Sequence, residues 1–289
     1  MPIVITGPTA TGKSKLGIEI AQQQNGEIIS ADSMQVYKYM DIGTAKPSKE
    51  EMQNIPHHMI DVAPPWEDYS VARYVREATD CIENIIKRGK TPIIVGGTGL
   101  YIDSLLAGRE FAEKGDKNLR IELEKRYETI GGEEMLKQLK EFDPITANRL
   151  FPNDKKRIVR AHETFILTGK TQSAHDEETR QIPPRYQAKK YAITYENRAT
   201  LYENIDKRVD NMVKSGLVNE VAGLLEMCKG RKNTAMQAIG YKEIAAAIKG
   251  DTDMSETIET VKMESRRYAK RQLTWLRRDK ALTWIVYPA

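Results

Sequence analysis

An octapeptide at residues 7–14, GPTATGKS, constrains the fold of this chain more than any other feature. A short apolar run at residues 3–5 precedes it, and a segment with helical periodicity, residues 13–24, follows it. This is the pattern G-x-x-x-x-G-K-[ST] in the strand–loop–helix setting of a P-loop. The glycines let several backbone N–H groups point at one anion, and the helix N-terminus adds partial positive charge. The octapeptide, called the phosphate loop below, therefore predicts a binding site for a di- or triphosphate.

The phosphate loop also predicts a cofactor. Lys13 brings a mobile positive charge, and Ser14 brings a hydroxyl oxygen of the kind that Mg²⁺ accepts as a ligand. We therefore expect Mg²⁺ as the cofactor, with Ser14 as its protein ligand. The residues predicted to surround the phosphates are Gly7, Pro8, Thr9, Ala10, Thr11, Gly12, Lys13 and Ser14.

Five short apolar runs rich in β-branched residues are typical of buried parallel strands. Segments with helical periodicity lie between them, and residues 69–88 are the clearest example. This alternation predicts an α/β fold with a P-loop NTPase-like core and a mainly parallel sheet, in which ligands bind beyond the carboxyl ends of the strands. The predicted strands are residues 2–6, 27–30, 91–95, 189–194 and 282–287.

Residues 111–188 interrupt the alternation, because they are rich in Lys, Glu, Arg and Leu and contain no strong strand candidate. We predict that they form a helical insertion domain. Within it, Asp154 is expected to cap a helix over residues 155–168, and residues 175–184 are expected to form a loop. The catalytic core then consists of residues 1–110 and 189–289.

A long helix is predicted near the end of the chain, over about residues 255–278. Val261, Tyr268 and Trp275 share one of its faces by sevenfold spacing, and we expect them to pack in the core. Residues 262–280 carry eight Lys or Arg side chains against two acidic ones, whereas the whole chain has a net charge of only +4. Such a local excess is typical of a contact with a polyanion, although a solvated helix face has the same pattern.

The distribution of apolar residues gives an expectation of location. No apolar run approaches the roughly 18 residues that a membrane span needs, so no membrane association is expected. The first predicted strand begins at residue 2, which leaves no space for a targeting segment before it. We therefore expect a cytoplasmic protein.

A hydroxyl and a carboxylate are predicted beside the phosphate loop. The strand at residues 91–95 is followed by GGTGLY, which has no acidic residue. This disfavours a hydrolysing motor, in which an Asp after such a strand holds Mg²⁺. Thr98 places a hydroxyl there instead, and Asp32 follows the strand at residues 27–30. Asp32 could bind Mg²⁺, accept a proton or cap the next helix, and the local sequence leaves these alternatives open.

Six segments occur in order along nearly the whole chain, and together they resemble the bacterial tRNA dimethylallyltransferase family. Only the first is specific by itself, but their joint occurrence is a strong signal. The segments are GPTATGKS (7–14), SADSMQVYKYMDIGTAKP (30–47), IIVGGTGLY (93–101), KKRIVRA (155–161), NTAMQAIGYKE (233–243) and RRYAKRQLTW (266–275).

The resemblance implies transfer of a dimethylallyl group from dimethylallyl diphosphate to N6 of the adenine 3′ of the anticodon, in tRNAs that read U-initial codons. It implies that Asp32 is the general base or orients the amine, and that Thr98 hydrogen-bonds the donor or the acceptor. It also implies that Arg208 binds the diphosphate, although a surface ion pair fits the local sequence too. ATP is expected to occupy the same phosphate loop.

The resemblance implies tRNA as the partner. An adenine in a stacked loop must be extruded to reach a buried site. Lys156 and Arg157 lie in the first turn of a predicted helix, where cations are unfavourable unless an anion such as phosphate binds there. The residues implied to contact tRNA are Asp32, Ser33, Met34, Gln35, Thr98, Arg120, Lys156, Arg157, Ile158, Val159 and Arg160.

Two other functions share part of this pattern. A nucleotide or small-molecule kinase would use the phosphate loop, Mg²⁺ and a helical lid, but the basic C-terminal helix and the extended resemblance disfavour it. A nucleotide-sensing RNA-binding protein without catalytic activity is disfavoured by Asp32 and Thr98, which are predicted to lie beside the phosphate loop.

Overall fold

In the part of the chain that the structure describes, six parallel strands form one sheet. The computed structural model describes residues 1–108, 116–229 and 233–288. The strands are β1 (Ile3–Thr6), β2 (Gly26–Ser30), β3 (His57–His58), β4 (Thr91–Val95), β5 (Lys189–Tyr195) and β6 (Thr283–Tyr287). Their order across the sheet is β3-β2-β4-β1-β5-β6, and every neighbouring pair is parallel. The predicted α/β class with a mainly parallel sheet is confirmed.

The edge strand β3 is absent from the sequence-based prediction. Its two residues pair with Ile28 and Ile29 of β2. Two residues are too few to show the alternation by which a strand is recognised, and the His-His pair has no β-branched residue. The five predicted strands are all present and differ from the prediction only at their ends.

The helices of the unit that contains the sheet follow the strands in the predicted alternation. The helix predicted at residues 69–88 is present, as are the first and last helices of the chain. These helices are α1 (Lys13–Gln23), α2 (Val71–Lys87), α3 (Gly99–Ala107), α8 (Arg198–Lys214), α9 (Leu217–Cys228), α10 (Tyr241–Ile248) and α11 (Met254–Leu276), with a short 3₁₀ helix at Ala235–Gln237.

Buried isoleucines position the start of the phosphate loop. Ile5 of β1 is inaccessible to solvent and packs in one cluster with Ile18 of α1 and Ile93 of β4. Helix α1 lies so close to the sheet that a Cβ atom on Gly17 would be 2.6 Å from Val95 Cγ2. The phosphate loop therefore connects two buried elements and lies at the carboxyl end of β1.

The chain divides into two compact units, Met1–Gly108 with Arg185–Ala289 and Arg109–Pro184. The predicted boundary between residues 110 and 111 lies outside the described residues. At the other boundary, the structure assigns residues 185–188 to the unit with the sheet, because the Tyr186 N–H donates to Leu106 O (3.1 Å) and Arg185 pairs with Glu83 (3.0 Å).

The regular elements among the described residues of the second unit are all helices. Leu123, Met135, Ile158 and Val159 form a buried cluster that joins the longest two of them. The longest is interrupted at Gly131, whose φ of 82° is left-handed. The helices are α4 (Lys117–Phe142), α5 (Pro144–Ala147), α6 (Lys155–Thr168) and α7 (Gln172–Gln181).

Helix α6 begins and ends where the sequence predicts. Asp154 is its N-cap residue, but the Asp154 carboxylate makes no capping bond to the helix; instead it accepts the Phe151 N–H at 3.0 Å. Gly169 ends the helix in a left-handed conformation, φ 69°. The predicted cap is therefore correct in position and different in its hydrogen bond.

The loop predicted at residues 175–184 is wrong for most of its length, because α7 extends to Gln181. Thr171 caps this helix by accepting the Ala174 N–H at 3.2 Å. Most residues of the predicted loop lie in a helix without a buried residue, so the sequence there has no apolar periodicity from which a helix could be recognised. Only the stretch with Pro183 and Pro184 leaves the helix.

The residues of α11 that were predicted to form a core stripe differ from one another. Val261 is buried, at 3% exposure, as expected. Trp275 is 36% exposed, and its indole N–H donates to Asp103 Oδ2 at 3.0 Å. Tyr268 faces the cavity described below. In the described parts of the chain, no helix is both long and apolar enough to span a membrane.

Candidate active site

The phosphate loop curls back on itself between β1 and α1. Pro8 O accepts hydrogen bonds from Lys13 Nζ (2.6 Å) and from Thr11 Oγ1 (2.9 Å). Gly7 has φ 148°, and a Cβ atom there would lie 2.5 Å from Ile193 O. Gly12 has a left-handed φ of 79° and precedes the first residue of α1. Both predicted glycines are thus required by the backbone, one for close approach and one for its dihedral angle.

A cavity of about 450 Å³ lies beside the phosphate loop. Its wall is formed mainly by the phosphate loop, the turn after β2, the loop at residues 43–47, the loop after β4, residues 237–241, and helices α8 and α11. The predicted site residues on its wall are Thr9, Ala10, Thr11, Gly12, Lys13, Ser14, Asp32, Ser33, Met34, Gln35 and Arg208. Residues far apart in the sequence therefore share one cavity, whereas Gly7, Pro8 and Thr98 are not on its wall.

Three cations, Lys13, Arg208 and Arg271, line this cavity together with one carboxylate, Asp32. Burial, and secondly the guanidinium of Arg208, lower the pKa of Lys13 to about 7, although Asp32 opposes the shift. Burial likewise lowers the pKa of Arg208, again opposed by Asp32. Arg208 also donates to Thr44 O at 3.4 Å. The cavity therefore has an excess of positive charge that a bound anion would relieve.

Asp32 lies in the turn that follows β2. Its Oδ1 accepts the N–H groups of Met34 (2.8 Å) and Gln35 (3.3 Å), which fixes the orientation of the carboxylate. No helix begins directly after Asp32, so Asp32 is not a helix cap. Its carboxylate instead holds the turn that follows β2. A carboxylate held by backbone N–H groups on the wall of a cavity is suited to accept a hydrogen bond or a proton from a ligand.

Thr98 lies close to the Asp32 turn. Its Oγ1 accepts the Ser33 N–H at 3.1 Å and donates to Ser33 Oγ at 3.4 Å. Tyr268 of α11 lies next to both Thr98 and Asp32. Burial and the Asp32 charge raise the pKa of Tyr268 to about 12, although a hydrogen bond with Thr98 opposes the shift. The Tyr268 hydroxyl therefore stays protonated.

Gln35 is held by polar atoms at both ends of its amide. The Gln35 Oε1 accepts from Ser30 Oγ at 2.9 Å, and its Nε2 donates to Thr44 O and Ala45 O, both at 3.3 Å. These bonds determine which end of the amide is oxygen and which is nitrogen. The residue can therefore present a defined hydrogen-bonding pattern to a ligand in the cavity.

Gln272 of α11 is a site residue that the sequence did not indicate. Its Oε1 accepts the Thr9 N–H at 3.0 Å, and its Nε2 donates to Gly97 O at 2.9 Å. A Cβ atom on Gly97 would lie 2.2 Å from that nitrogen, so this glycine makes space for the amide. Gln272 thereby ties the phosphate loop to the loop after β4.

A second residue that the sequence did not indicate is Glu220 of α9, which binds the rim loop, defined as residues 41–45. Glu220 Oε2 accepts the N–H groups of Asp41 (2.8 Å) and Ile42 (2.7 Å), and its Oε1 accepts the Gly43 N–H at 3.1 Å. Three consecutive backbone donors thus converge on one carboxylate.

Tyr241 of α10 completes this arrangement by donating its hydroxyl to Glu220 Oε1 at 2.6 Å. Burial and the carboxylate raise the pKa of Tyr241 well above its ordinary value, so the hydroxyl remains a donor. A Cβ atom on Gly43 would lie 2.5 Å from the Tyr241 ring. The rim loop carbonyls of Thr44 and Ala45 accept hydrogen bonds from Gln35 and Arg208. Glu220 therefore contacts these two cavity residues indirectly, through the rim loop.

The second unit holds the remaining predicted site residues. Arg120 and Arg160 both bind Glu163, a fully buried carboxylate, with Nη2–Oε2 and Nη1–Oε2 distances of 2.6 and 2.8 Å. Ile158 and Val159 are buried in the helical core of the unit. Their side chains are therefore turned away from solvent, so the predicted RNA contact is not available to these side chains.

Lys156 and Arg157 are exposed in the first turn of α6, as the prediction requires. Arg157 Nη1 lies 3.5 Å from Asp154 Oδ1. In the C-terminal basic segment, by contrast, several cations are engaged within the protein: Lys262 with Asp210 (2.7 Å), Arg266 with Asp206 (2.5 Å) and Arg267 with Glu264 (2.6 Å). Lys262 and Arg266 therefore hold α11 to α8, whereas Arg267 pairs within α11.

Two family models match the chain. The model described as IPP transferase matches residues 35–279, and the model described as isopentenyl transferase matches residues 2–64. The chain belongs to the IPP transferase family. The matched ranges of this family member include the phosphate loop, Asp32, Thr98 and Arg208.

Curated relatives agree with this family. A tRNA dimethylallyltransferase of Caldanaerobacter subterraneus is 48% identical over 284 residues, which cover 98% of this chain and 90% of the relative. A tRNA dimethylallyltransferase of Acetivibrio thermocellus is 49% identical with the same coverage. The resemblance stated from the sequence motifs is therefore confirmed.

Solved structures agree as well. The tRNA isopentenylpyrophosphate transferase of Bacillus halodurans is 40% identical, with a TM-score of 0.73 over 99% of this chain and 89% of that one. A eukaryotic dimethylallyltransferase acting on tRNA is 32% identical, with a TM-score of 0.84 over 99% of this chain and 73% of that one. This family member is thus a prenyltransferase by its relationships, and the kinase alternative is not favoured.

Proposed function

We propose that this member of the IPP transferase family moves a dimethylallyl group from dimethylallyl diphosphate to N6 of the adenine 3′ of the anticodon, in tRNAs that read U-initial codons. One observation carries the proposal: a single cavity contains an anion-binding loop, Arg208 and the oriented carboxylate of Asp32. The names of the relatives, tRNA dimethylallyltransferases among them, support the choice of donor and acceptor.

The phosphate loop and Arg208 bind the diphosphate of the donor. An allylic carbon–oxygen bond ionises more readily when the charge that develops on its leaving group is stabilised. Lys13 and Arg208 are both held where burial penalises their charge, so an anion between them is attracted more strongly than it would be at an exposed site.

Mg²⁺ fits the oxygen chemistry of this part of the cavity. The Ser14 hydroxyl lines the cavity. Among the described residues, no group of three or more His, Cys, Asp or Glu side chains could hold a metal ion. This suits an ion that takes most of its ligands from water and substrate phosphates. Ser14 would hold the ion, which when bound would neutralise charge on the departing diphosphate.

Asp32 receives the exocyclic amine of the adenine. The lone pair of that nitrogen is delocalised into the ring, so loss of a proton as the new carbon–nitrogen bond forms assists the attack. Because backbone N–H groups occupy Oδ1 of Asp32, its Oδ2 accepts the hydrogen bond from the amine and then the proton. Tyr268 lies on the cavity wall against which the base rests, and Thr98 holds the Asp32 turn through Ser33.

The base reaches the cavity by extrusion from the stacked anticodon loop, at a cost of a few kcal/mol. Ser33, Met34 and Gln35 line the same cavity and contact the extruded nucleotide. In the second unit, the exposed Lys156 and Arg157 bind RNA phosphates. Arg120 and Arg160 bind RNA through the guanidinium N–H groups that Glu163 does not use.

ATP competes with the donor for the phosphate loop, because the loop recognises polyphosphate by backbone N–H groups and Lys13, which do not distinguish the two. The protein acts in the cytoplasm on unmodified tRNA.

The test is transfer of label. Protein, Mg²⁺, dimethylallyl diphosphate labelled in the dimethylallyl group, and unmodified tRNA with adenine 3′ of the anticodon are mixed, and label in the RNA is counted. We expect incorporation that disappears when that adenine is replaced by guanine. RNA that binds but gains no label would contradict the proposal, and phosphate transfer from ATP to a panel of nucleotides would then be assayed.

A further inference from the structure

Phe151 of the second unit is unusual in its exposure. At 74%, it is the most exposed large apolar side chain among the described residues. It lies in the turn of residues 151–154, called the Phe turn here, directly before α6. An aromatic ring in water gives up the burial that usually stabilises it, so a ring held outside the protein suggests a surface that will cover it.

The Phe turn is held firmly. The Phe151 N–H donates to Asp154 Oδ2 (3.0 Å), and the Asp154 N–H donates to Phe151 O (2.8 Å). Tyr127 Oη donates to Pro152 O. A Cβ atom on Gly132 would lie 2.0 Å from the same carbonyl, so the turn packs directly on the backbone of α4. These contacts hold the backbone that carries the ring, which reduces the entropy lost when a ligand covers it.

The charges around the Phe turn are mainly positive. The first turn of α6 follows directly and contains Lys155, Lys156 and Arg157, and the exposed Arg149 precedes the Phe turn. Three carboxylates oppose them, of which Glu124 acts electrostatically on Lys155. Glu128 pairs with Lys155 at 2.5 Å, and Asp154, inside the Phe turn, is 3.5 Å from Arg157 and accepts the Phe151 N–H. An exposed ring beside exposed cations matches a ligand with flat apolar faces and negative charges.

We propose that Phe151 stacks on an unpaired base of the RNA substrate while Lys156 and Arg157 bind the neighbouring phosphates. The inference rests on the proposed function, which supplies an RNA whose anticodon loop contains unpaired bases. Single-stranded loops are the part of RNA that proteins recognise by stacking bases on aromatic side chains. Because every base has a flat face, this contact adds affinity and register without reading a particular base.

RNA binding by variants tests the proposal. An unmodified tRNA is titrated with the full-length protein, with Phe151→Ala and with Phe151→Trp. We expect about tenfold weaker binding for the alanine variant, the order of loss for removal of one base–aromatic stack, and near-normal binding for the tryptophan variant. Ile145→Ala is the matched control, because Ile145 is an exposed apolar residue of the same unit, at 55% exposure, outside the Phe turn.

Salt dependence separates stacking from charge. The slope of log affinity against log salt concentration should be unchanged in Phe151→Ala and about one unit shallower in Lys156→Ala, since only the latter removes a phosphate contact. In the transfer assay, Phe151→Ala should raise KM for tRNA, leave KM for dimethylallyl diphosphate unchanged and keep kcat at saturating tRNA. A fluorescent 2-aminopurine at successive anticodon-loop positions should be quenched at one position by wild type and less by Phe151→Ala.

Equal affinity of wild type, Phe151→Ala and Ile145→Ala for tRNA would overturn the inference, and would point to a protein partner for this ring instead. If wild type transfers label to tRNA and the Phe151 variants bind normally, only this inference fails. If wild type neither binds tRNA nor transfers label, the proposed function fails first. Unchanged thermal unfolding of Phe151→Ala checks that the exposed residue does not support the fold.

Discussion

The charge on Lys13 depends on what its ammonium group faces. In the free cavity, burial and Arg208 lower its pKa to about 7, so above pH 7 a growing fraction of the protein has neutral Lys13. A diphosphate beside it favours the charged form. Binding of the anion above pH 7 should therefore take up a proton, and affinity should fall as pH rises.

Calorimetry checks this prediction about Lys13. Titration of dimethylallyl diphosphate at pH 8, in buffers that differ in ionisation enthalpy, should reveal proton uptake by wild type. Lys13→Met should abolish the uptake and weaken binding strongly. Lys15→Met, on the exposed side of the same helix, is the control and should behave as wild type. Equal proton uptake in Lys13→Met and wild type would assign the titration to another group.

Asp32 is expected to act through its carboxylate charge and not through the shape of its turn. Asp32→Asn keeps an oxygen that can accept the N–H groups of Met34 and Gln35, so the turn should persist. The transfer rate at saturating substrates should fall about 10²-fold or more, because a neutral amide cannot take the proton. Single-turnover transfer and tRNA affinity are measured side by side, and a normal rate with normal affinity would exclude the base role.

At the scale of elements, the rim loop connects α9 to the cavity. Four hydrogen bonds converge on Glu220, and the rim loop carbonyls that it positions hold Gln35 and Arg208. The contact between Glu220 and the rim loop should therefore affect ligand binding in the cavity. The same reasoning does not apply to Glu226, which is exposed on the same helix.

Glu220→Gln places an amide NH₂ against backbone N–H groups or the Tyr241 hydroxyl, so at least one hydrogen bond to the rim loop is lost. We expect about tenfold weaker donor binding, corresponding to the ~1.5 kcal/mol of a hydrogen bond to a charged group. Donor affinity and KM are measured for Glu220→Gln, Glu220→Ala and Glu226→Gln. The first two should differ from wild type and the third should not. If only the unfolding temperature changes, Glu220 has no role in positioning.

At the scale of the whole molecule, the opposite end of the sheet is held by a buried charge. Glu27, at the start of β2, is 1% exposed. It accepts bonds from Arg88 (Nη2, 2.7 Å) at the end of α2 and from Lys90 (2.8 Å), and His58 of β3 lies at 2.8 Å. Chiefly the bond from Arg88, and then those from Lys90 and His58, hold the pKa of Glu27 well below its usual range. One carboxylate thus joins three elements.

Glu27→Gln should lower the free energy of unfolding by about 2 kcal/mol at pH 7, less than for a fully buried pair because Arg88 and Lys90 are partly exposed. Since the folded pKa is depressed, this stabilisation is present above the ordinary Glu value of 4.5 and is lost as pH falls below it. Urea unfolding of wild type, Glu27→Gln and the exposed-site control Glu19→Gln at pH 7 and pH 3.5 measures this. A difference that does not shrink at pH 3.5 would contradict the assignment.

Local sequence patterns predict part of this fold. Five strands, the phosphate loop and α6 follow from local periodicity, glycines and capping residues. The edge strand β3 and helix α7 do not, because one is too short for a period and the other buries no residue that would create one. Local patterns therefore predict an element only where one buried face gives its sequence a regular spacing of apolar residues.

The sequence by itself determined the α/β class and the family, and it predicted the phosphate loop and the candidate residues Asp32, Thr98 and Arg208. Only the tertiary structure decided which partners these residues have. Gln272 meets Thr9 across 263 residues of chain, and Glu220 meets Asp41 across 179. Such contacts leave no local signal, because the side of a helix that faces a cavity depends on how the helix packs. For the same reason Tyr268 of α11 lines the cavity, whereas Ile158 and Val159 of α6 are buried.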